Sequence, residues 1–134
     1  MRPDPDIQTC CDDTGQPLLR YQQQAGWLQV TMLAESTLPH TQNMMQVFYQ
    51  VLDKLDPDRV RVDNRQLRGR LSLADSYVLL HSLPLPRRRR RMAVVEDPAW
   101  AEQVRFMETA VRNAGGMLRY FYDEEQALQW LLSE

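Results

Sequence analysis

The segment Arg91-Met92-Ala93-Val94-Val95 constrains the fold more than any other stretch of the chain. Ala93, Val94 and Val95 are consecutive, so both faces of whatever they form are apolar. The run is short for a helix, and its valines, stiff at the first side-chain torsion, favour an extended backbone. A strand that is apolar on both faces must be covered on both, as a central strand is in a sheet flanked by helices.

The rest of the sequence supplies that environment. Residues 17–24 and 27–33 read as two strands around a turn at Ala25-Gly26. Met44, Val47, Phe48, Val51, Leu52 and Leu55 then recur at three- and four-residue spacing, one face of an amphipathic helix. Thr41 is the expected N-cap there and Asp56-Pro57 the stop. Val60 and Val62 mark a short strand. A second helix follows, with Ser72 and Asp75 at S-x-x-D spacing and Leu73, Tyr77 and Leu80 as its expected buried stripe. Pro84 and Pro86 end it. After the central strand, Asp97 caps a helix with Pro98 in its first turn. Trp100, Val104, Met107 and Val111 form its seam, and Gly115-Gly116 closes it with a left-handed turn. Residues 117–122 read as a last strand. Asp123 caps a final helix that turns Ala127, Leu128 and Leu131 inward and half-buries Trp130.

The order is ββαβαβαβα. It predicts an α/β fold with a mixed, mostly parallel sheet, one antiparallel edge hairpin strand and about four helices. Residues 18–134 form a single domain in this reading. Residues 1–17, polar and containing Pro, Asp and Gly, are expected to be a flexible N-terminal arm.

Charge is distributed unevenly. Residues 1–58 hold three basic and eight acidic side chains, residues 59–91 ten basic and two acidic, and residues 92–134 three basic and eight acidic. The net charge of −2 argues against general affinity for nucleic acid. The run Arg87, Arg88, Arg89, Arg90 and Arg91 is a basic patch, but no aromatic residue interleaves with it. Its last members enter a strand, where alternate side chains point to opposite faces. The expectation is a solvated connector whose arginines pair with the protein's own carboxylates or an acidic partner, mobile near Arg87 and ordered by Arg91. Segments of opposite charge also suit pairing of two copies across a two-fold axis.

Cys10 and Cys11 are adjacent, too close for an unstrained disulfide, and read as free thiols. With His40 and His81 distant in sequence, they form no metal set. No metal or cofactor is expected. His81 lies nine residues from Ser72 and five from Ser76, spacings that do not meet on one helix face. No catalytic constellation is read. No apolar run is long enough to cross a bilayer, and the N-terminus carries no apolar leader, so a cytoplasmic location is expected.

The C-terminal half resembles a bacterial STAS domain of the SpoIIAA-like branch, often grouped with SEC14-type domains. The likeness lies in the Ala-Val-Val strand after a basic residue and in the helix with Phe106, Glu108, Thr109 and the end Arg112-Asn113-Ala114-Gly115. It continues in Phe121 before an acidic cap and in Ala127, Leu128, Trp130 and Leu131 of the last helix. Residues 60–72 are similar to the family's strand ending in an Asp-rich turn, and the likeness spans roughly residues 18–132.

The resemblance implies a ββαβαβαβα fold and a non-catalytic regulatory or protein-interaction module, of the kind used in bacterial signalling. In anti-sigma-factor antagonists of that family, a Ser or Thr at a helix N-terminus is phosphorylated within a D-S-S/T-G motif to switch partner binding. Here Asp75-Ser76 matches the first two positions, Tyr77 replaces the third and the Gly is missing; Ser72 occupies a similar place without the motif. Ser72, Asp75 and Ser76 are therefore candidates for a phospho-switch or a helix cap. The implied partner is another protein or a second copy of the chain. The SEC14-like grouping and the Trp27, Met44, Met45 and Phe48 content point instead to a small apolar or lipid ligand, and a cavity of a few hundred Å³ under the first long helix separates the two readings. Polyanion or nucleic-acid binding through Arg87–Arg91 is the third alternative.

Overall fold

The computed structural model describes residues 6–83 and 88–134. Among these, the strands are β1 (Gln8–Cys11), β2 (Pro17–Gln24), β3 (Trp27–Met32), β4 (Arg59–Asp63), β5 (Arg91–Val95) and β6 (Met117–Phe121). The helices are α1 (Leu38–Leu55), α2 (Leu73–Ser82), α3 (Ala101–Asn113) and α4 (Glu124–Leu132), with one 3-10 turn at Pro98–Trp100.

All six strands join one sheet whose spatial order is the chain order. β1–β2 and β2–β3 are antiparallel; β3–β4, β4–β5 and β5–β6 are parallel. Successive right-handed crossovers stepping the same way across a sheet put their helices on one face. The side chains agree with that rule. Val60, Val62 and Val94 pack with Met44, Phe48 and Leu52 of α1. Their neighbours Ala93 and Val95 turn the other way and meet Ala127 and Leu131 of α4. β5 is hydrogen-bonded on both sides, and Val94 and Val95 are 4% and 0% exposed, so the apolar run is a covered central strand.

Three expectations change. Residues 8–11, assigned to a flexible arm, form the edge strand β1. Asp12 folds the chain back onto β2, its Oδ1 accepting from the backbone N–H groups of Thr14 and Gln16 at 2.8 and 3.0 Å. The antiparallel part of the sheet is thus two pairings, not one. α1 begins earlier than expected: Thr37 is the N-cap, accepting from His40 N, and Thr41 lies buried inside the helix.

The third change is the rotation of α2. Leu73 and Tyr77 of the expected buried stripe are exposed, as is Val78, while Ser76 and Leu79 face inward and Leu80 is half-buried. Apolar residues lie nearly all round this helix, so periodicity does not choose its face. The choice is made by α1 and α3, which α2 touches on either side.

Candidate functional site

The helical layer does not close onto β4–β6. Val62, Met92, Val94, Leu118 and Tyr120, alternate residues of the three strands, form a floor. Met44, Met45, Phe48 and Leu52 of α1 make one wall and Val104, Met107 and Val111 of α3 the other. Ser76 and Leu79 of α2 look in between them, and the space between these walls is about 570 Å³. The void lies under α1, where an apolar-ligand reading of the sequence requires one.

One end of the cavity, at the C-terminal ends of the strands, is closed by a buried ion pair. Arg70 and Glu96 side chains are 6% and 0% exposed. Arg70 Nε donates to Glu96 Oε2 at 2.9 Å, and Nη2 donates to Glu96 Oε1 and to Asn64 O. Nη1 donates to Leu67 O and Gly69 O, and the guanidinium stacks 5.1 Å from the Trp100 ring centre. The pair ties the loop after β4 to the end of β5 and so fixes where α2 begins. Asp97 caps the turn that follows, accepting from Ala99 N at 2.9 Å, while Glu96 accepts both from Arg70 and, at 2.8 Å, from Asp97 N. Arg70 escapes sequence reasoning because its partner lies across two elements.

Tyr120 is near this end. Burial pushes its phenol well above the usual tyrosine range, and the neighbouring Glu96 and Glu108 carboxylates push the same way. It stays a neutral phenol at physiological pH.

The other end, at the N-terminal ends of the strands, is a mouth. Asp53, Arg89, Ala114 and Met117 line it and are exposed. Arg88 Nε and Nη1 reach Asp56 and Asp58 at 2.8 Å each. Arg90 Nη1 reaches Asp56 at 2.9 Å and donates to Pro57 O. Hydrogen bonds from Arg88 and then Arg90 hold the Asp56 carboxyl below its ordinary value. Arg91 starts β5 and donates to Trp130 O in the last turn of α4 and to Ser133 O just beyond it. Arg89 has no hydrogen bond or ion pair among the described residues. Arg87 lies outside the described residues.

The serines of the switch motif part company. Ser72 is the exposed N-cap of α2, accepting from Asp75 N at 3.1 Å. Asp75 sits half-buried in the first turn. Ser76 is 5% exposed and borders the cavity. His81 is on the outer side, its ring 4.1 Å from that of Tyr77. Cys10 and Cys11 are free thiols on β1; burial, then the Cys11 thiolate, pushes the Cys10 thiol up. Among the described residues no helix is long and apolar enough to cross a membrane.

None of the curated proteins matches the chain. One solved structure does: an uncharacterized protein from the DUF3478 family with a SpoIIAA-like fold from Shewanella loihica PV-4, 18% identical. The match covers 98% of each chain with a TM-score of 0.47. The SpoIIAA-like family model matches residues 28–132, from β3 through α4, and therefore strands β3–β6, the cavity walls and the α4 face, but not β1 and β2. By that match the chain belongs to the SpoIIAA-like family.

Proposed function

We propose that this protein is a non-catalytic binding domain for a small apolar or amphipathic molecule, held between the sheet and the α1–α3 layer. The cavity of about 570 Å³ carries this reading. Protein interiors are close-packed, and a void lined by Met, Leu, Val and Phe forfeits dispersion contacts that its walls would otherwise make. The size lies within the ordinary range of ligand pockets, about 300–1,000 Å³. Methionines supply adaptable walls that fit more than one chain shape.

The test uses the neutral fluorophore N-phenyl-1-naphthylamine. The wild-type protein is expected to bind it with a blue-shifted emission. Met44→Trp, which fills the cavity from α1, is expected to abolish binding while the far-UV circular dichroism is retained. Absence of binding to the wild type, or unchanged binding to a folded Met44→Trp variant, overturns the proposal.

A protein-interaction role has its own support, in the outward residues of α2. Leu73, Tyr77 and Val78 are 64%, 56% and 46% exposed on one short helix, a natural anchor set for a partner surface. The two readings are compatible, because the same helix roofs the cavity.

A further inference from the structure

The mouth of the cavity has a charge that the fold does not use. Arg88 and Arg90 are neutralised by Asp56 and Asp58. Arg91 is anchored on carbonyls in the last turn of α4 and just beyond it. Asp53, the acid on the same rim, is itself engaged. Arg89 alone of residues 88–91 has neither hydrogen bond nor ion pair among the described residues, and it lines the cavity while remaining exposed.

Its position is also kept clear. Gly115 has φ +88, and a Cβ on it would sit 3.0 Å from Arg89 Nη2. A side chain at 115 would therefore both strain the backbone and push the guanidinium aside. The cavity runs inward from this point along α1, past Leu52, Phe48 and Met44 to the level of Thr41. Twelve helical residues separate Asp53 from Thr41, about 18 Å of apolar wall. A cation at the opening of a long apolar slot, with no protein partner among the described residues, matches a molecule with a negative head and one hydrocarbon tail. An uncharged apolar ligand would leave Arg89 unused.

Resting on the binding role proposed above, we propose that the ligand is a single-chain anionic amphiphile, whose carboxylate or phosphate head is held by Arg89 at the mouth while its tail fills the cavity. Guanidinium donates paired hydrogen bonds to either oxyanion, so the headgroup classes must be told apart by experiment.

Dodecanoate, dodecyl phosphate and dodecanol, each below its micellar concentration, are titrated against the wild type, Arg89→Ser and Arg89→Lys by displacement of N-phenyl-1-naphthylamine. The wild type is expected to bind at least one anionic probe roughly tenfold or more tighter than dodecanol, as loss of a charge-assisted pair implies. Arg89→Ser should remove that preference and leave dodecanol affinity within about twofold, while Arg89→Lys should retain part of it. The tighter of the two anions identifies the head. Equal binding of anionic and neutral probes to the wild type, or a preference that survives Arg89→Ser, overturns the assignment to Arg89 while the cavity reading stands. Failure of all three probes and of the fluorophore itself overturns both. Arg89 is exposed and has no hydrogen bond or ion pair to lose among the described residues, so its variants are expected to keep the wild-type denaturation midpoint.

Discussion

The two faces of β5 differ more than their sequences suggest. On one face Ala93 and Val95 meet Ala127 and Leu131 of α4, and all four are 0% exposed. On the other, Met92 and Val94 belong to the floor of a cavity of about 570 Å³. The bulkier side chains lie on the hollow side. Small residues at 93 and 127 let α4 approach the sheet closely, whereas the opposite layer is a bridge, with α2 supported by α1 and α3 on its flanks. Close packing thus depends on whether a helix reaches the sheet, and only secondarily on how apolar the facing residues are.

Adjacent valines give the sharpest way to break this comparison. Val95→Asp places an unpaired carboxylate in the sealed α4 face, with an expected cost above about 4 kcal/mol, enough to unfold a domain of this size. Val94→Asp points into the cavity, where water can follow, with an expected cost of about 2–3 kcal/mol. Urea denaturation of both variants checks this, and equal costs would mean that the faces are equally dry. Next in size is the clamp at the closed end. Glu96→Ala strands the buried Arg70 guanidinium, with an expected loss of about 3–5 kcal/mol. The amide of Glu96→Gln still accepts from Arg70 and should cost less, by the same measurement.

Enlargement tests the faces in the opposite sense. Ala127→Leu overfills the α4 contact and is expected to cost about 1–3 kcal/mol. Leu79→Phe grows into the void from α2, and its expected effect stays within about 1 kcal/mol because space is already there. Thermal denaturation of the pair reads the difference. An Ala127→Leu variant as stable as the wild type would show that α4 is no closer to the sheet than α2.

What the sequence disclosed follows the same division. Local signals were legible: Ser72, Asp97 and Asp123 each cap the helix or turn expected of them, and Gly115 takes the left-handed conformation after α3. Val94 and Val95 lie in a central strand as their unbroken run requires. The cavity was legible only as a possibility, because Met44, Phe48 and Met107 have the spacing of core residues whether or not the opposing layer closes on them. The Arg70–Glu96 pair joins positions 26 apart through the folded loop, and no local pattern announces it. β1 was missed because Gln8-Thr9-Cys10-Cys11 has no apolar alternation; it is an edge strand, mostly exposed, held by ladder bonds and the Asp12 turn.

The smallest expected effect lies at the mouth, where charges are exposed on the hollow side of the molecule. Asp56 caps α1 in the left-handed region, φ 49, and accepts from both Arg88 and Arg90. Those hydrogen bonds, Arg88's first, lower its folded-state pKa below the ordinary aspartate value. A depressed carboxyl contributes stability that is present above the unfolded-state pKa, about 4, and is lost as pH falls through the folded value. Asp56→Asn is the suitable probe, since Asn tolerates the left-handed backbone almost as well and removes only the charge. The wild type should exceed Asp56→Asn in urea midpoint at pH 7, by an increment that is constant down to about pH 5 and shrinks below about pH 4. Because the pairs are exposed, added salt should narrow the gap at pH 7 as well. The corresponding comparison at the sealed end, Glu96→Gln at pH 7 with and without salt, should show little salt dependence, since its charges lie out of reach of solvent ions. A gap at Asp56 that is unchanged from pH 7 to pH 3 would mean that Arg88 and Arg90 do not hold its charge in solution, and the three mouth arginines would then be equally open to a ligand.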